Sequence, residues 1–137
     1  MKILKRIYLI GITISGVTWI TGCTSNNMKS EELTKNSYEQ ITQEAAKEIM
    51  DTEDGYIILD VRTKDEYAGG HIKNAICIPN ETIDETVTDS LPDKDQLIFV
   101  YCRSGNRSKQ AAAKLADLGY TNIKEMGGIN TWSYEIE

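Results

Sequence analysis

Two segments after residue 37 place apolar residues at helical spacing. The first is ITQEAAKEIMD, residues 41–51, in which Thr42 is of a residue type that caps helix starts. The second spans residues 107–118, where alanines and leucines share one face and Gly119 follows as a helix stop. Both segments predict amphipathic helices that pack one side against a core.

Two shorter helices are indicated by pairs of capping residues. Thr63 and Glu66 match a capping box, in which each side chain binds the backbone amide of the other. The helix that they start is predicted to end at the Gly-Gly pair 69–70. Thr82 and Glu85 match the same pattern inside an acidic, threonine-rich segment, and they predict another helix start there.

Short continuous apolar runs alternate with these helices. Such runs, bounded by turn residues, are typical of strands that are buried on both faces of a parallel sheet. They are residues 56–59, 75–78 and 97–101, and residues 122–126 are a last candidate strand. The alternation predicts an α/β fold, because parallel strands need right-handed crossovers that place helices over the sheet.

The first 22 residues have a different pattern. Lys2, Lys5 and Arg6 are followed by residues 7–20, which carry no charge. A basic start, a short apolar stretch and small residues before a cut are typical of an export signal. This stretch is too short to cross the roughly 30 Å hydrocarbon core, which disfavours a permanent transmembrane helix.

The sequence Ile20-Thr21-Gly22-Cys23 resembles the bacterial lipobox. The resemblance implies cleavage after Gly22 and a diacylglyceryl group on Cys23, which would anchor the protein to a membrane outside the cytoplasm. The chain then divides into a lipoprotein signal peptide at 1–22, a flexible tether at 23–37 and one folded domain at 38–137. The alternatives are a plain secretory signal and a signal anchor in which Cys23 is incidental.

Composition and charge narrow the function. Apolar residues make up 40% of the chain, which suits a packed core and excludes collagen-like, low-complexity and disordered classes. The net charge is −6, and without the three cations of residues 1–22 it becomes −9, since 12 basic then face 21 acidic side chains. This acidity argues against a nucleic-acid partner, because binding to phosphates depends on Lys and Arg. Three cysteines are too few for a disulfide scaffold.

The loop after the third predicted strand carries the candidate chemistry, with the sequence Cys102-Arg103-Ser104-Gly105-Asn106-Arg107-Ser108. Ligands of open parallel sheets bind at the carboxyl ends of strands, where this loop lies. A tight loop that leads into a helix points backbone amides inward and attracts anions. Arg103 and Arg107 add charge, so the Cys102 thiol should ionise near neutral pH and become a nucleophile. The alternative is a buried structural cysteine between surface arginines.

This loop resembles the active-site loop of rhodanese-like sulfurtransferases. The likeness covers nearly all of residues 38–137, through motifs that occur in the same order. They are Leu59-Asp60-Val61-Arg62, Glu66-Tyr67, Gly70-His71-Ile72-Lys73-Asn74-Ala75, Ile78-Pro79, and Gly127-Gly128 followed by Trp132. The resemblance implies a single rhodanese-like domain with a five-stranded parallel sheet that is flanked by helices on both faces.

The chemistry that the resemblance implies is sulfur transfer. Cys102 would take a sulfane sulfur from a small anionic donor, thiosulfate or a thiol persulfide, and pass it from a persulfide to cyanide or a thiol. The implied substrate-binding residues are Arg103, Ser104, Gly105, Asn106 and Arg107. Their amides would surround the sulfur, and the Arg107 side chain would close the loop and help to hold the donor. No metal and no organic cofactor is implied.

Other function classes stay open. One is a non-enzymatic persulfide carrier, and another is a module that binds an anion or a redox partner at the membrane surface. A phosphatase or an arsenate reductase is disfavoured by the C-x4-R spacing from Cys102 to Arg107, because protein tyrosine phosphatases and the phosphatase relatives of rhodanese have C-x5-R. No general acid for such a reaction is evident near the loop in sequence.

The remaining candidate residues favour structural roles. Asp60 and Arg62 flank a strand end, where they are expected to form an ion pair. His71, the only histidine, lacks ligand-spaced partners for a zinc site and is expected to make structural hydrogen bonds. Cys77 is expected to be a buried apolar side chain; the alternative, a resolving thiol for Cys102, requires Cα atoms within about 7 Å.

Overall fold

The apolar run 97–101 forms the central strand of a sheet. In the computed structural model, which describes residues 37–137, this strand is Ile98–Cys102, and all five of its residues are buried. The predicted signal peptide, Cys23 and the tether up to residue 36 lie outside the described residues. Within the described range, no helix has the length and apolar character needed to cross a bilayer.

Strands and helices alternate along the described chain. The strands are β1 (Glu39–Gln40), β2 (Ile57–Asp60), β3 (Ile76–Cys77), β4 (Ile98–Cys102) and β5 (Ile123–Gly128). The α-helices are α1 (Gln43–Thr52), α2 (Lys64–Ala68) and α3 (Asn106–Asp117). Short 3₁₀ helices lie at Asn80–Thr82, Glu85–Asp89 and Ile129–Thr131. The four predicted strands are therefore confirmed, with ends displaced by up to two residues.

The five strands form one parallel sheet in the order β1-β5-β4-β2-β3. Alternate residues of β4 belong to two apolar clusters on opposite faces of the sheet. Cys102 lies in the cluster that α3 covers, and Tyr101 lies in the cluster that includes Ala46 of α1. The predicted α/β fold, a five-stranded parallel sheet with helices on both faces, is confirmed.

The helix starts show which capping predictions were right. The Thr42 hydroxyl accepts the Ala45 amide at 3.1 Å at the start of α1. At the start of α2 the Thr63 and Glu66 side chains bind each other's backbone amides, as a capping box requires. These two boundaries follow from local sequence because their hydrogen bonds join residues three positions apart.

The capping box predicted at Thr82 and Glu85 is wrong. Asp84 caps the 3₁₀ helix there, since its carboxylate accepts the Thr86 amide at 2.8 Å. The Thr82 hydroxyl instead donates to the Pro79 carbonyl at 2.8 Å. A shorter carboxylate directly before the turn reaches the free amide better than a hydroxyl two residues earlier.

The pairing of β4 with β5 has a register shift beside the candidate loop. Val100 lies opposite Glu125, but Cys102 lies opposite Gly128, so β5 has one residue more than β4 over this span. A bulge of this kind bends a strand and turns its end toward a neighbour. The Gly-Gly pair 127–128 is thereby brought against the loop that follows Cys102.

Candidate active site

Cys102 is the last residue of β4 and is 1% exposed. The chain then turns sharply through Gly105, whose φ of +106° suits glycine, and enters α3 at Asn106. The Gly105 amide points back into the turn and donates to the Cys102 Sγ at 3.0 Å. The predicted arrangement of a thiol inside a loop of amides at a helix start is therefore present in the structure.

The end of β5 closes one side of this loop. A Cβ atom on Gly128 would lie 2.1 Å from the Arg103 carbonyl oxygen and 2.6 Å from the Ser104 amide nitrogen, so no side chain fits there. The same Arg103 carbonyl accepts the Asn130 amide at 3.2 Å. The Gly-Gly motif thus shapes the loop by close backbone contact.

The environment of Cys102 favours its thiolate. Burial raises the pKa of the thiol, but hydrogen bonds lower it by more, so that the pKa lies below its ordinary value. The Ser108 hydroxyl is the first of these hydrogen-bonding groups, followed by loop amides. The amides are those of Ser104, Gly105 and Ser108. A larger fraction of Cys102 is therefore nucleophilic at neutral pH than for an ordinary cysteine.

The two loop arginines have different surroundings. The Arg107 guanidinium donates to both carboxylate oxygens of Glu66, at 2.7 and 2.9 Å. This pairing raises the pKa of Arg107 and lowers that of Glu66 to about 2. Arg103 is exposed and makes no ion pair with any residue in the range 37–137. Arg103 is thus the loop cation that is open to an anion from solvent.

Asp60 and Arg62 form the expected ion pair, and it is buried. The Arg62 Nη2 lies 2.6 Å from the Asp60 Oδ2 and also donates to the Gly70 carbonyl at 2.8 Å. The Tyr101 hydroxyl donates to the same Asp60 Oδ2 at 2.7 Å and accepts the Ile72 amide. This network joins the ends of β2 and β4 to the segment after α2. Its member on β4, Tyr101, directly precedes Cys102.

His71 makes structural contacts, as expected. Its Nδ1 lies 3.0 Å from the Tyr67 carbonyl oxygen and its ring stacks on the Tyr67 ring at 3.7 Å. Its backbone exchanges two hydrogen bonds with Glu137 and so fixes the C-terminal residue. Within residues 37–137 no cluster of three or more His, Cys, Asp or Glu could hold a metal ion.

Cys77 is half-buried, whereas full burial was expected. The reason is its position on β3, which is an edge strand of the sheet. The alternative of a resolving thiol is wrong for this structure, because both cysteines are free and β2 lies between their strands. Two strand spacings separate Cys77 from Cys102 by about 10 Å, beyond the reach of a disulfide.

Sequence reasoning missed three side chains of the site. Ser108 was read as part of the loop, yet its Oγ lies 3.5 Å from the Cys102 Sγ. Glu66 was read only as a capping residue and motif position. Glu125, which is 3% exposed, binds the Ser108 hydroxyl. The sequence signal for Glu125 was only an acidic residue inside a predicted strand.

The fold and this loop define a class of α/β proteins with a cysteine in an amide-lined turn at a strand end. A model of the Rhodanese-like domain matches residues 42–135, which is more than half of the chain. The chain belongs to the rhodanese-like domain family.

Curated relatives carry sulfurtransferase names. The chain is 37% identical over 71 residues to thiosulfate sulfurtransferase PspE of Escherichia coli, across 52% of this chain and 68% of that protein. It is 36% identical over 93 residues to a sulfurtransferase of Allochromatium vinosum, across 67% of this chain and 84% of that protein. It also matches the adenylyltransferase and sulfurtransferase UBA4 of Candida albicans at 36% identity, but spans only 20% of that protein. These relatives support a function of the sulfurtransferase type.

Solved structures agree with the fold. A rhodanese from E. coli, described as holding anions, has a TM-score of 0.56 and 32% identity and covers 60% of this chain and 96% of its own. The rhodanese-like domain of an Anabaena protein has a TM-score of 0.66 and 29% identity, across 72% of this chain and 77% of its own. The architecture is thus that of the family.

Proposed function

We propose that this domain transfers a sulfane sulfur from thiosulfate or a thiol persulfide to a nucleophilic acceptor through a persulfide on Cys102. The observation that carries the proposal is the Gly105 amide, which donates to the Cys102 Sγ at 3.0 Å inside a loop of amides at the start of α3. Such a loop stabilises a thiolate before the reaction and an anionic persulfide after it.

In the first step the Cys102 thiolate attacks the outer sulfur of thiosulfate. A bond forms between the Cys102 Sγ and that sulfur, the sulfur–sulfur bond of thiosulfate breaks, and sulfite leaves with its electron pair. The exposed Arg103 supplies positive charge where the anionic donor arrives. The amides of residues 103–107 hold the terminal sulfur of the persulfide.

In the second step a nucleophile, cyanide or the thiolate of a thiol, attacks the terminal sulfur. The sulfur–sulfur bond of the persulfide breaks and Cys102 leaves as a thiolate, which the same hydrogen bonds stabilise. The site returns to its starting state, and neither step requires a metal or an organic cofactor.

Arg107 acts in this scheme from a fixed position. Its guanidinium donates hydrogen bonds to both carboxylate oxygens of Glu66, and this links the start of α3 to α2. We assign its contribution to closing the loop around the sulfur, as the family resemblance implies, and the main contact with the donor to Arg103.

The experiment is an intact-mass measurement of the purified protein before and after thiosulfate, beside Cys102→Ser. A gain of about 32 Da, removed by cyanide and missing in the variant, is expected for a persulfide. Catalytic turnover with thiosulfate and cyanide separates an enzyme from a carrier, which would load once and stop. No gain with thiosulfate or a thiol persulfide would contradict the proposal.

A second part of the proposal concerns the N-terminus. The lipobox-like sequence before Cys23 supports a lipid anchor on that residue and a site of action outside the cytoplasm, at a membrane surface. Labelling of cells with radioactive palmitate, in the wild type and in Cys23→Ser, tests it. Label on the wild type alone is expected, and an unlabelled wild type would contradict the anchor without bearing on Cys102.

A further inference from the structure

A buried carboxylate lies beside the candidate nucleophile and has no part in the proposed steps. Glu125 is 3% exposed, and its Oε1 accepts the Ser108 hydroxyl at 2.6 Å and the Gly127 amide at 2.8 Å. Ser108 is fully buried, and its Oγ lies 3.5 Å from the Cys102 Sγ. One hydroxyl group therefore stands between the thiol and an acid.

Ser108 has a single hydroxyl proton and several neighbours that can accept it. The oxygens are those of Glu125 at 2.6 Å, of the Gly105 carbonyl at 3.0 Å and of the Gly127 carbonyl at 3.3 Å. A charged acceptor at the shortest distance makes the strongest hydrogen bond, so the proton lies toward Glu125. The Ser108 hydroxyl can stabilise a Cys102 thiolate, but Glu125 competes for the same proton from the shorter distance.

We propose that Glu125 is a positioning residue that acts on Cys102 through Ser108, because it competes with the thiolate for the hydroxyl proton. The loop of amides and the start of α3 stabilise the thiolate, and Glu125 reduces that stabilisation. This inference rests on the proposed role of Cys102 as the nucleophile.

The benefit follows from thiol chemistry. The nucleophilicity of a thiolate falls as its pKa falls, so an attacking thiol works best when its pKa is near the ambient pH. A loop of amide donors at a helix start, with no opposing charge, makes a thiolate abundant but weak. Glu125 opposes that tendency at the one side-chain donor of the loop that contacts the sulfur.

Other charged groups near the pair are engaged elsewhere or exposed. Arg107 is bound by Glu66, and Arg103 is open to solvent. Glu125 borders an open groove of about 460 Å³. The other polar side chains that line this groove from β1, α1 and α3 include Gln40, Gln43, Glu44 and Lys109. Glu44 and Lys109, the charged ones, are exposed and therefore well screened.

The test is the pH dependence of alkylation of Cys102 by iodoacetamide in the full chain, followed on the Cys102 peptide by mass spectrometry. Glu125→Gln keeps an oxygen for the Ser108 hydroxyl and the Gly127 amide but removes the charge. Alkylation at pH values below the thiol pKa is expected to become about two- to fourfold faster, because a fall of about one half to one pKa unit raises the thiolate fraction about three- to tenfold while the nucleophilicity of each thiolate falls. At high pH, where both thiols are fully ionised, the rate of the variant should level off below that of the wild type, because its thiolate is the weaker nucleophile.

Two controls distinguish an effect that Glu125 exerts through Ser108 from a direct or general effect of its charge. Glu44→Gln removes a carboxylate from the same groove without touching Ser108, and it should leave the alkylation profile unchanged. Ser108→Ala removes the intermediary, so Glu125→Gln should accelerate alkylation much less in that background than in the wild type. This coupling between two variants is the quantity that a double-mutant cycle measures.

Three results would overturn the inference. Slower alkylation of Glu125→Gln at pH values below the thiol pKa, or a profile moved to higher pH, would mean that the carboxylate only supports the loop. Equal acceleration with and without Ser108 would mean that its charge acts directly on the thiol. Should Glu125→Gln fail to fold, Glu125→Asp, which is too short to reach Ser108, must also speed alkylation, and an unchanged rate would contradict the role. Alkylation needs no sulfur donor, so a missing persulfide would contradict the proposed function alone.

Discussion

Arg107 and Glu66 are joined by two hydrogen bonds of 2.7 and 2.9 Å between helices α3 and α2. The same Glu66 carboxylate accepts the Thr63 amide and completes the capping box of α2. One side chain therefore both starts a short helix and fixes Arg107, the last residue of the candidate loop. Its pKa of about 2 results first from Arg107 and then from the Thr63 amide.

Glu66→Gln is expected to lower the free energy of unfolding by about 1 kcal/mol at pH 6. Glutamine keeps the capping hydrogen bonds but loses the ion pair. A carboxyl whose folded pKa lies below its ordinary 4.5 stabilises fully above that value, and the effect is lost as the pH falls toward 2. Urea unfolding of both proteins at pH 6 and pH 2.5 measures this, and an equal difference at both pH values would contradict the ion pair as its cause.

Gly128→Ala is expected to destabilise the domain by about 3 kcal/mol and to abolish persulfide formation. The backbone of Gly128 has an ordinary φ of −132°, so the effect is purely steric, from a Cβ placed 2.1 Å from the Arg103 carbonyl oxygen. The matched control is Gly55→Ala, where φ is +77° and the space is open. That variant should lose about 1 kcal/mol through backbone strain and keep its sulfur transfer. Thermal unfolding and persulfide mass measure both effects, and a loaded Gly128→Ala protein would contradict the prediction.

Arg103→Ala is expected to raise the KM for thiosulfate about tenfold while kcat changes little, because an exposed, unpaired cation binds the anionic donor before the chemical step. The effect should shrink as ionic strength rises, since exposed charges are screened. Lys109→Ala removes an exposed cation of α3, outside the loop, and serves as the control with unchanged KM. Steady-state kinetics with thiosulfate and cyanide at two salt concentrations decide the matter, and an effect on kcat alone would place Arg103 in the chemical step.

Tyr101→Phe is expected to cost about 2 kcal/mol of stability. Its hydroxyl donates to the buried Asp60 and accepts the Ile72 amide, so its loss leaves two buried groups short of a partner. Tyr120→Phe removes another buried hydroxyl, which has the Leu91 carbonyl as its partner, and should cost about 1 kcal/mol. Denaturant unfolding of both variants gives the comparison. A larger loss for Tyr120→Phe would show that the Asp60 network contributes little.

Local sequence patterns predicted much of the fold. Three strands were visible as apolar runs and a fourth as a mixed candidate segment. Two helix starts were visible as capping residues that form hydrogen bonds three positions apart. Strand β1 could not be found in this way, because Glu39 and Gln40 are polar and exposed, and their contacts with β5 are backbone pairing and an ion pair between Glu39 and Lys124. The fifth strand was expected from the family resemblance alone.

The part of the site that could be predicted is the part formed by consecutive residues. Cys102 and the loop to Arg107 are consecutive, and their amides follow from the turn into α3. The partners that set their chemistry come from distant segments: Glu66 lies 41 residues before Arg107, and Glu125 lies 17 residues after Ser108. Such contacts depend on strand order and on the bulge in β5, which no local pattern shows.

The position of β2 between the two cysteine-bearing strands also governs what an oxidant does to this domain. If Cys102 is converted to a sulfenic acid, the only other cysteine of the described residues, Cys77, is about two strand spacings away and cannot condense with it. Rescue must then come from a separate thiol that can enter the loop. The sulfur acceptor of the proposed reaction, where it is a thiol, would also be the molecule that restores an oxidised site.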